Sequence, residues 1–133
     1  MIFVDSNVPM YLVGALHPHK RDAERLLQMA ISQGRRLVTD AEVFQEILHR
    51  YSAIGRLDAV SPAFEALLNV VDDVFAVTLE DAQRAREILL AGATRVSARD
   101  ALHVAIMERE RVTEIMTFDT DFDHTGQVQR VRL

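Results

Sequence analysis

Two short apolar segments of the sequence each lead into an aspartate. Ile2-Phe3-Val4 is followed by Asp5, and residues 114–118 are followed by Asp119. Apolar runs without polar alternation are typical of strands buried on both faces of a parallel sheet, and ligands of such sheets bind at the carboxyl ends of the strands. An acid after a strand is often only a turn former or a helix cap. Because the pattern occurs twice, we expect Asp5 and Asp119 to share a functional edge of the sheet.

Two glutamates lie on the helix that is predicted to begin at Asp40. Thr39-Asp40-Ala41-Glu42 has the spacing of a capping box, which gives Glu42 a structural role at the start of the helix. Glu46 has no such role and lies on the flank of the apolar stripe, where a side chain can lean into a pocket. We therefore prefer Glu46 as the site residue, and a solvated surface glutamate is the alternative.

A further acid, Asp100, lies at the start of a later predicted helix. Ser97-Ala98-Arg99-Asp100 is spaced as a cap followed by an acid in the first helical turn, where the helix dipole favours a negative charge. This structural explanation competes with a place at the functional edge, to which a strand-to-helix connection would bring the helix start. His103 is expected to be a helix-surface or packing residue rather than a ligand.

The acids Asp119, Asp121 and Asp123 alternate, as in a calcium-binding loop. That interpretation fails, because the sixth position is His124 rather than glycine and the twelfth is Arg130 rather than glutamate. Hard oxygen ligands without His or Cys partners still suit Mg²⁺ or Mn²⁺, which bind through a few carboxylates, water and substrate phosphate. Several acids at one sheet edge, with no thiol and no catalytic triad, indicate metal-assisted attack on a phosphodiester.

Composition limits the class of protein. With 133 residues, of which 49% are hydrophobic, the chain is expected to form a single domain, residues 1–133, with a real core. The absence of cysteine excludes disulfides and thiolate zinc sites. The N-terminus is a predicted strand rather than a signal peptide, and no apolar run has the length of a membrane span. We therefore expect a cytoplasmic protein.

The charge balance bears only weakly on nucleic-acid binding. A net charge of −5 argues against nonspecific binding to nucleic acid, but acids gathered around a metal ion would account for most of it. Fourteen of the fifteen basic residues are arginines, which suits bidentate contacts to phosphate. A compositional bias of the source genome explains the arginines at least as well.

Predicted strands and helices alternate along the chain, which is typical of a parallel α/β sheet covered by helices. The helices are predicted over residues 8–16, 19–33, 40–54, 61–70, 78–91 and 98–109, the fourth of them capped by Ser61 with Pro62 in the first turn. The strands are predicted over residues 2–4, 37–39, 74–77 and 114–118, with residues 128–133 as an additional edge strand. The order of the strands in the sheet is not readable from these patterns.

The acidic segments together resemble the four motifs of PIN-domain nucleases, and most closely those of VapC-type toxins from toxin–antitoxin modules. The likeness covers essentially the whole chain, in the family's order. Its segments are Ile2-Phe3-Val4-Asp5-Ser6-Asn7, residues 43–51 around Glu46, Val96-Ser97-Ala98-Arg99-Asp100-Ala101-Leu102-His103, and Met116-Thr117-Phe118-Asp119-Thr120-Asp121-Phe122-Asp123.

The resemblance implies an α/β protein with a PIN-like fold, in which a central parallel sheet of about five strands is covered by helices on both faces. It also implies a Mg²⁺- or Mn²⁺-dependent endoribonuclease that acts as a toxin on structured RNA, often tRNA. Such proteins commonly form homodimers and are neutralised by a cognate antitoxin that covers the acidic pocket. By this likeness Asp5, Glu46, Asp100 and Asp119 form the catalytic and metal-binding quartet, with Asp121 as a further metal residue and Ser6, Asn7 and Thr117 in support.

Three other classes of protein share some of these sequence features. A haloacid-dehalogenase-like phosphatase also begins with a strand that ends in Asp, but its mechanism needs a second Asp at the position of Asn7. A response-regulator receiver normally has two adjacent early acids and a late lysine, and the only lysine here is Lys20. A catalytically silent PIN-like binding module, which keeps its acids for the arginines of a partner, stays open as an alternative.

Overall fold

The computed structural model describes residues 1–14, 17–92 and 96–133, and the predicted end of the first helix at residue 16 lies outside them. The strands are β1 (Ile2–Val4), β2 (Leu37–Asp40), β3 (Asp73–Phe75), β4 (Glu114–Met116) and β5 (Gln129–Arg130). The helices are α1 (Asn7–Val13), α2 (Pro18–Ser32), α3 (Ala41–Ala53), α4 (Val60–Leu68), α5 (Leu79–Leu90) and α6 (Ala98–Arg109). Two short 3₁₀ turns cover Leu57–Ala59 and Thr120–His124. The predicted alternation of strands and helices is confirmed.

The five strands form one parallel sheet in the order β3-β2-β1-β4-β5. The chain first builds outward from β1 through β2 to β3, and then crosses to the other side of β1 to add β4 and β5. The order therefore reverses between β1 and β4, and ligands of open α/β sheets bind at such a switch point, outside the carboxyl ends of the strands. The expected parallel sheet is confirmed, and its order adds the location of a crevice.

The core lies on the central strand. Ile2, Phe3 and Val4 are consecutive and at most 1% exposed, so both faces of β1 are covered. This burial explains the absence of polar alternation in the sequence of β1. Among the described residues, no helix combines the length and the apolar character that crossing a membrane requires.

The starts of two helices differ from the sequence predictions. Asp40, not Thr39, is the N-cap of α3, because its side chain accepts a hydrogen bond from the backbone N–H of Val43 at 2.9 Å. The hydroxyl of Thr39 instead donates to the carbonyl oxygen of Val4 in the neighbouring strand, at 2.9 Å. The predicted capping box with Glu42 is therefore wrong. Ser61 is not a cap either. Helix α4 begins at Val60, directly after a 3₁₀ turn, and Ala59 is its N-cap, so Ser61 lies inside the first turn of α4.

An ion pair ties α6 to the start of α5. The guanidinium of Arg109 donates to the buried carboxylate of Asp81 at 2.9 and 3.1 Å, and to the carbonyl oxygen of Ala76 at 2.8 Å. Asp81 also forms a capping box with Thr78, as its first-turn position in the sequence suggested. Burial would raise the pKa of Asp81, but the hydrogen bonds from Arg109 and Thr78 outweigh it and lower that pKa. The pair fixes the helix that carries Asp100 and His103.

Candidate active site

A pocket of about 570 Å³ lies beside the carboxyl ends of β1 and β4. Asp5 follows β1 directly, Asp119 follows β4, Glu46 lies in the second turn of α3, and Asp100 lies in the first turn of α6. The structure brings all of these side chains to this pocket. Its acidic and small polar lining consists of Asp5, Glu46, Asp100, Asp119, Asp121, Ser6, Asn7 and Ser97.

The carboxylate of Asp5 is held by a network that joins β1 to β4. The hydroxyl of Thr117 donates to Oδ2 of Asp5 at 2.7 Å, and the backbone N–H of Ser6 donates to Oδ1 at 2.8 Å. The Thr117 oxygen in turn accepts from the side-chain amide of Asn7 at 3.0 Å and from the backbone N–H of Asp119 at 3.1 Å. Thr117 therefore links the two acids that end neighbouring strands, and it fixes one of them in orientation.

Asp100 combines a helix-start position with a place in the pocket. Ser97 caps α6, with its hydroxyl oxygen accepting from the backbone N–H of Asp100 at 3.2 Å. Burial raises the pKa of Asp100 to about 7, and the negative charges of Asp5 and Asp119 contribute to that rise. The two interpretations of this acid are thus compatible, because Ser97 provides the cap while the carboxylate of Asp100 shares the field of the other acids.

The pKa values of the two most buried acids of the pocket, Asp5 and Glu46, shift in opposite directions. Burial and the charge of Glu46 raise the pKa of Asp5, although His103 and the hydrogen bond from Thr117 act in the opposite direction. Burial would also raise the pKa of Glu46, but the hydrogen bond and positive charge of His103 outweigh it and lower that pKa. Glu46 therefore carries a negative charge at neutral pH.

The contacts of the remaining nearby acids show which of them line the pocket. Asp121 lines the pocket, and its backbone N–H donates to Oδ1 of Asp119 at 2.9 Å. Asp123 is instead bound by the guanidinium of Arg130 at 2.8 and 2.9 Å. Glu42 is half-buried and does not line the pocket. Of the alternating acids, only Asp119 and Asp121 therefore belong to the pocket.

His103 and Asp40 are the residues that sequence reasoning missed. His103 is fully buried, so the surface alternative of its prediction is wrong and the packing alternative agrees with its burial. Its two ring nitrogens lie 2.6 Å from Oδ2 of Asp40 and 2.6 Å from Oε1 of Glu46. Burial would lower the pKa of His103, but the two carboxylates raise it well above its ordinary value. One signal was present in the sequence, since Asp40 ends an apolar strand just as Asp5 does.

The donor set fits a hard divalent cation. Carboxylate oxygens of Asp5 and Glu46 lie within 4.8 Å of each other and of a ring nitrogen of His103. Asp100 and Asp119 add carboxylates to the same pocket, and oxygen donors of this kind are those that Mg²⁺ and Mn²⁺ prefer. The negative charge that raises the pKa of Asp100 is the charge that such a cation would neutralise.

Basic side chains lie on the same pocket as the acids. Arg50, Arg56 and Arg99 line it, and Arg56 is bound by Asp58 at 3.0 Å. Within residues 1–14, 17–92 and 96–133, Arg50 and Arg99 form no ion pair. Their guanidinium groups are therefore available for an anionic ligand that enters the pocket.

Comparisons with known proteins agree on one family. Residues 2–128 match the family model of the PIN domain. Ribonuclease VapC13 of Mycobacterium tuberculosis is 56% identical over 131 residues, which cover 98% of this chain and 99% of that protein. The crystal structure of Mycobacterium tuberculosis VapC20, described as a sarcin-ricin loop cleaving toxin, superposes with a TM-score of 0.82 at 27% identity and covers 100% of both chains. A toxin–antitoxin complex from Klebsiella pneumoniae has the same fold, with a TM-score of 0.66, 16% identity and coverage of 99% and 97%.

Proposed function

The chain belongs to the PIN-domain family as a ribonuclease of the VapC toxin–antitoxin type, and from this premise we propose that residues 1–133 act as a single domain that hydrolyses RNA phosphodiester bonds at the acidic pocket with Mg²⁺ or Mn²⁺. The observation that carries the proposal is the convergence of four carboxylates from four separate parts of the chain on one pocket: Asp5, Glu46, Asp100 and Asp119. No thiol is present in the chain to offer another nucleophile.

The proposed cation site consists of this quartet, with Asp121 at its edge. When bound, the cation supplies Lewis acidity, which offsets the charge of the phosphate and lowers the pKa of attacking water. Thr117 orients the carboxylate of Asp5 by a direct hydrogen bond, and Asn7 and Ser6 hold this arrangement through their own contacts to Thr117 and Asp5. The protein's contribution is therefore a set of oxygen ligands that is oriented before substrate arrives.

Arg50 and Arg99 are proposed to bind phosphates of the RNA backbone at the pocket. Each lines the pocket and can present two parallel N–H donors to a phosphate. This local positive charge answers the objection raised by the net charge of −5, because a polyanion needs a basic surface only where it binds. We propose a structured RNA as substrate, acted on in the cytoplasm, with tRNA as the class that the family likeness suggests.

A cognate antitoxin is the proposed protein partner, and a homodimer is the proposed assembly of the chain. Support for the antitoxin comes from the toxin–antitoxin complex that shares this fold. Co-expression tests the partnership: the chain alone should arrest growth, and a small protein encoded beside it should restore growth and co-purify with the chain. Normal growth at high levels of intact, uncomplexed chain would contradict the toxin assignment.

The catalytic proposal is tested with purified chain and a structured RNA. Cleavage should require Mg²⁺ or Mn²⁺, stop in excess chelator, and be abolished by Asp5→Asn. Asp72→Asn is the matched control, because Asp72 is exposed and lies outside the pocket. Cleavage that continues in chelator would refute metal dependence, and RNA binding without cleavage would favour the silent binding module.

A further inference from the structure

His103 lies at the centre of a buried chain of side chains that runs from β2 to the pocket. Its ring joins the carboxylate of Asp40, which is fully buried, to the carboxylate of Glu46, with 2.6 Å on each side. We propose that His103 is a positioning residue and not a metal ligand: it holds Glu46 in the orientation that a cation requires, while Asp40 holds the imidazole ring. This inference rests on the proposed function of the pocket.

The donors and acceptors decide between the two roles. An ionised carboxylate only accepts hydrogen bonds, so a ring nitrogen 2.6 Å from a carboxylate oxygen serves as an N–H donor. Both nitrogens of His103 are in this position. A nitrogen that carries a proton has no lone pair for a metal. Of the three neighbouring residues Asp5, Glu46 and His103, only the two acids therefore belong to the proposed quartet of ligands.

Asp40 gives the ring a fixed support. Its Oδ1 accepts from the backbone N–H of Val43 at the start of α3, and its Oδ2 accepts from His103. The ring of Phe3, on the central strand, packs against the imidazole with centroids 5.3 Å apart. The same helix that Asp40 caps carries Glu46 in its second turn. Helix start, imidazole and glutamate therefore form one rigid unit.

The outcome is a glutamate whose carboxylate is held by His103 at the wall of the pocket. Oε1 of Glu46 accepts from His103, and Glu46 itself lines the pocket beside Asp5. Residues that orient metal ligands in this way typically change metal affinity or activity by about 10- to 100-fold when mutated.

Two matched variants separate the contacts of the ring. In His103→Asn the amide nitrogen can take the place of Nδ1, so the contact to Asp40 is kept and the contact to Glu46 is lost. In His103→Gln the amide nitrogen can take the place of Nε2, so the contact to Glu46 is kept and the contact to Asp40 is lost. Thermal denaturation in chelator establishes that each variant is folded before it is compared.

Mn²⁺ affinity by calorimetry is the first measurement, and it needs no RNA. His103→Asn should weaken Mn²⁺ binding by about 10- to 100-fold, whereas His103→Gln should keep most of the affinity. On RNA, kcat of His103→Asn should fall while KM changes little. Equal losses in the two variants would indicate a ligand or a purely structural role, and unchanged affinity in His103→Asn would refute positioning.

NMR of the unmodified chain tests the same inference when a variant fails to fold. Two slowly exchanging ring N–H signals of His103 should be present without metal and should persist with Mg²⁺ bound. Loss of the Nε2 proton on addition of Mg²⁺ would show direct ligation and overturn the proposal. Persistent signals in a chain that binds Mn²⁺ but does not cut RNA would instead contradict the proposed function alone.

Discussion

Replacing Asp100 by asparagine should stabilise the metal-free protein above neutral pH. The pKa of this carboxyl is raised from 3.8 to about 7 by burial and by Asp5 and Asp119, so its ionisation opposes folding. A difference of about three pKa units corresponds to roughly 4 kcal/mol at most. Because Asp100 is partly exposed, solvent screening reduces this to about 1 to 2 kcal/mol. Loss of an acid from the first turn of α6 offsets about 0.5 kcal/mol, which leaves a net gain of about 1 kcal/mol.

The sign of the pH dependence follows from linkage. Since the folded-state pKa of Asp100 lies above its unfolded value, the folded state binds more protons between pH 3.8 and about 7. The contribution of protonated Asp100 to the free energy of unfolding is fully present below pH 3.8 and is lost as the pH rises through about 7. The advantage of Asp100→Asn over wild type should therefore be fully developed near pH 8, should shrink as the pH falls below about 7, and should vanish only below pH 3.8.

The assay is thermal denaturation in excess chelator at several pH values, with Asp72→Asn as the control for removal of an exposed acid. At pH 8 the Asp100→Asn variant should melt roughly 3 to 5 °C above wild type, which corresponds to about 1 kcal/mol for a chain of this size, and the control should match wild type. A variant that melts several degrees below wild type at pH 8 would mean that Asp100 acts mainly at the helix start. The clustered site would then lose one of its members.

Three further outcomes are expected. Glu46→Gln should abolish RNA cleavage. Glu42→Gln should leave most of the cleavage activity and most of the stability, because Glu42 neither caps α3 nor lines the pocket. Loss of cleavage in the Glu42 variant alone would contradict this expectation. Asp81→Asn should lower the free energy of unfolding, measured by urea titration, by on the order of 2 kcal/mol, because it leaves Arg109 without its buried carboxylate partner. An unchanged urea midpoint would refute the role of that ion pair. Mg²⁺ should raise the melting temperature of wild type more than that of Asp100→Asn, because a ligand stabilises the state that binds it; equal shifts would argue against a shared site.

Much of the fold is readable from local patterns in the sequence. Apolar runs without alternation predicted β1 and β4, and residues 98–109 were predicted as the helix that the structure contains. These predictions succeed because the period of apolar residues reflects which faces of an element are buried. The acids Asp5 and Asp119 were placed at one edge of the sheet for the same reason, since the carboxyl ends of parallel strands share an edge.

What failed depends on partners that are distant in the sequence. Thr39 has the local context of a helix cap, yet its hydroxyl bonds to Val4, 35 positions earlier, and Asp40 takes the cap. His103 looked like an ordinary helix residue, because its partners Asp40 and Glu46 are 63 and 57 positions away. No local pattern reports such pairings.

The tertiary structure alone decided how the acids become a site. The sheet order puts β4 beside β1, which lets Thr117 bond to Asp5 across 112 positions of sequence and brings Asp100 into the field of Asp5 and Asp119. Residue types and local periodicity determined which elements form and which of them end on an acid. Distances, burial and electrostatic coupling between those acids arise only when the strands are ordered, because these quantities depend on separation in space rather than along the chain.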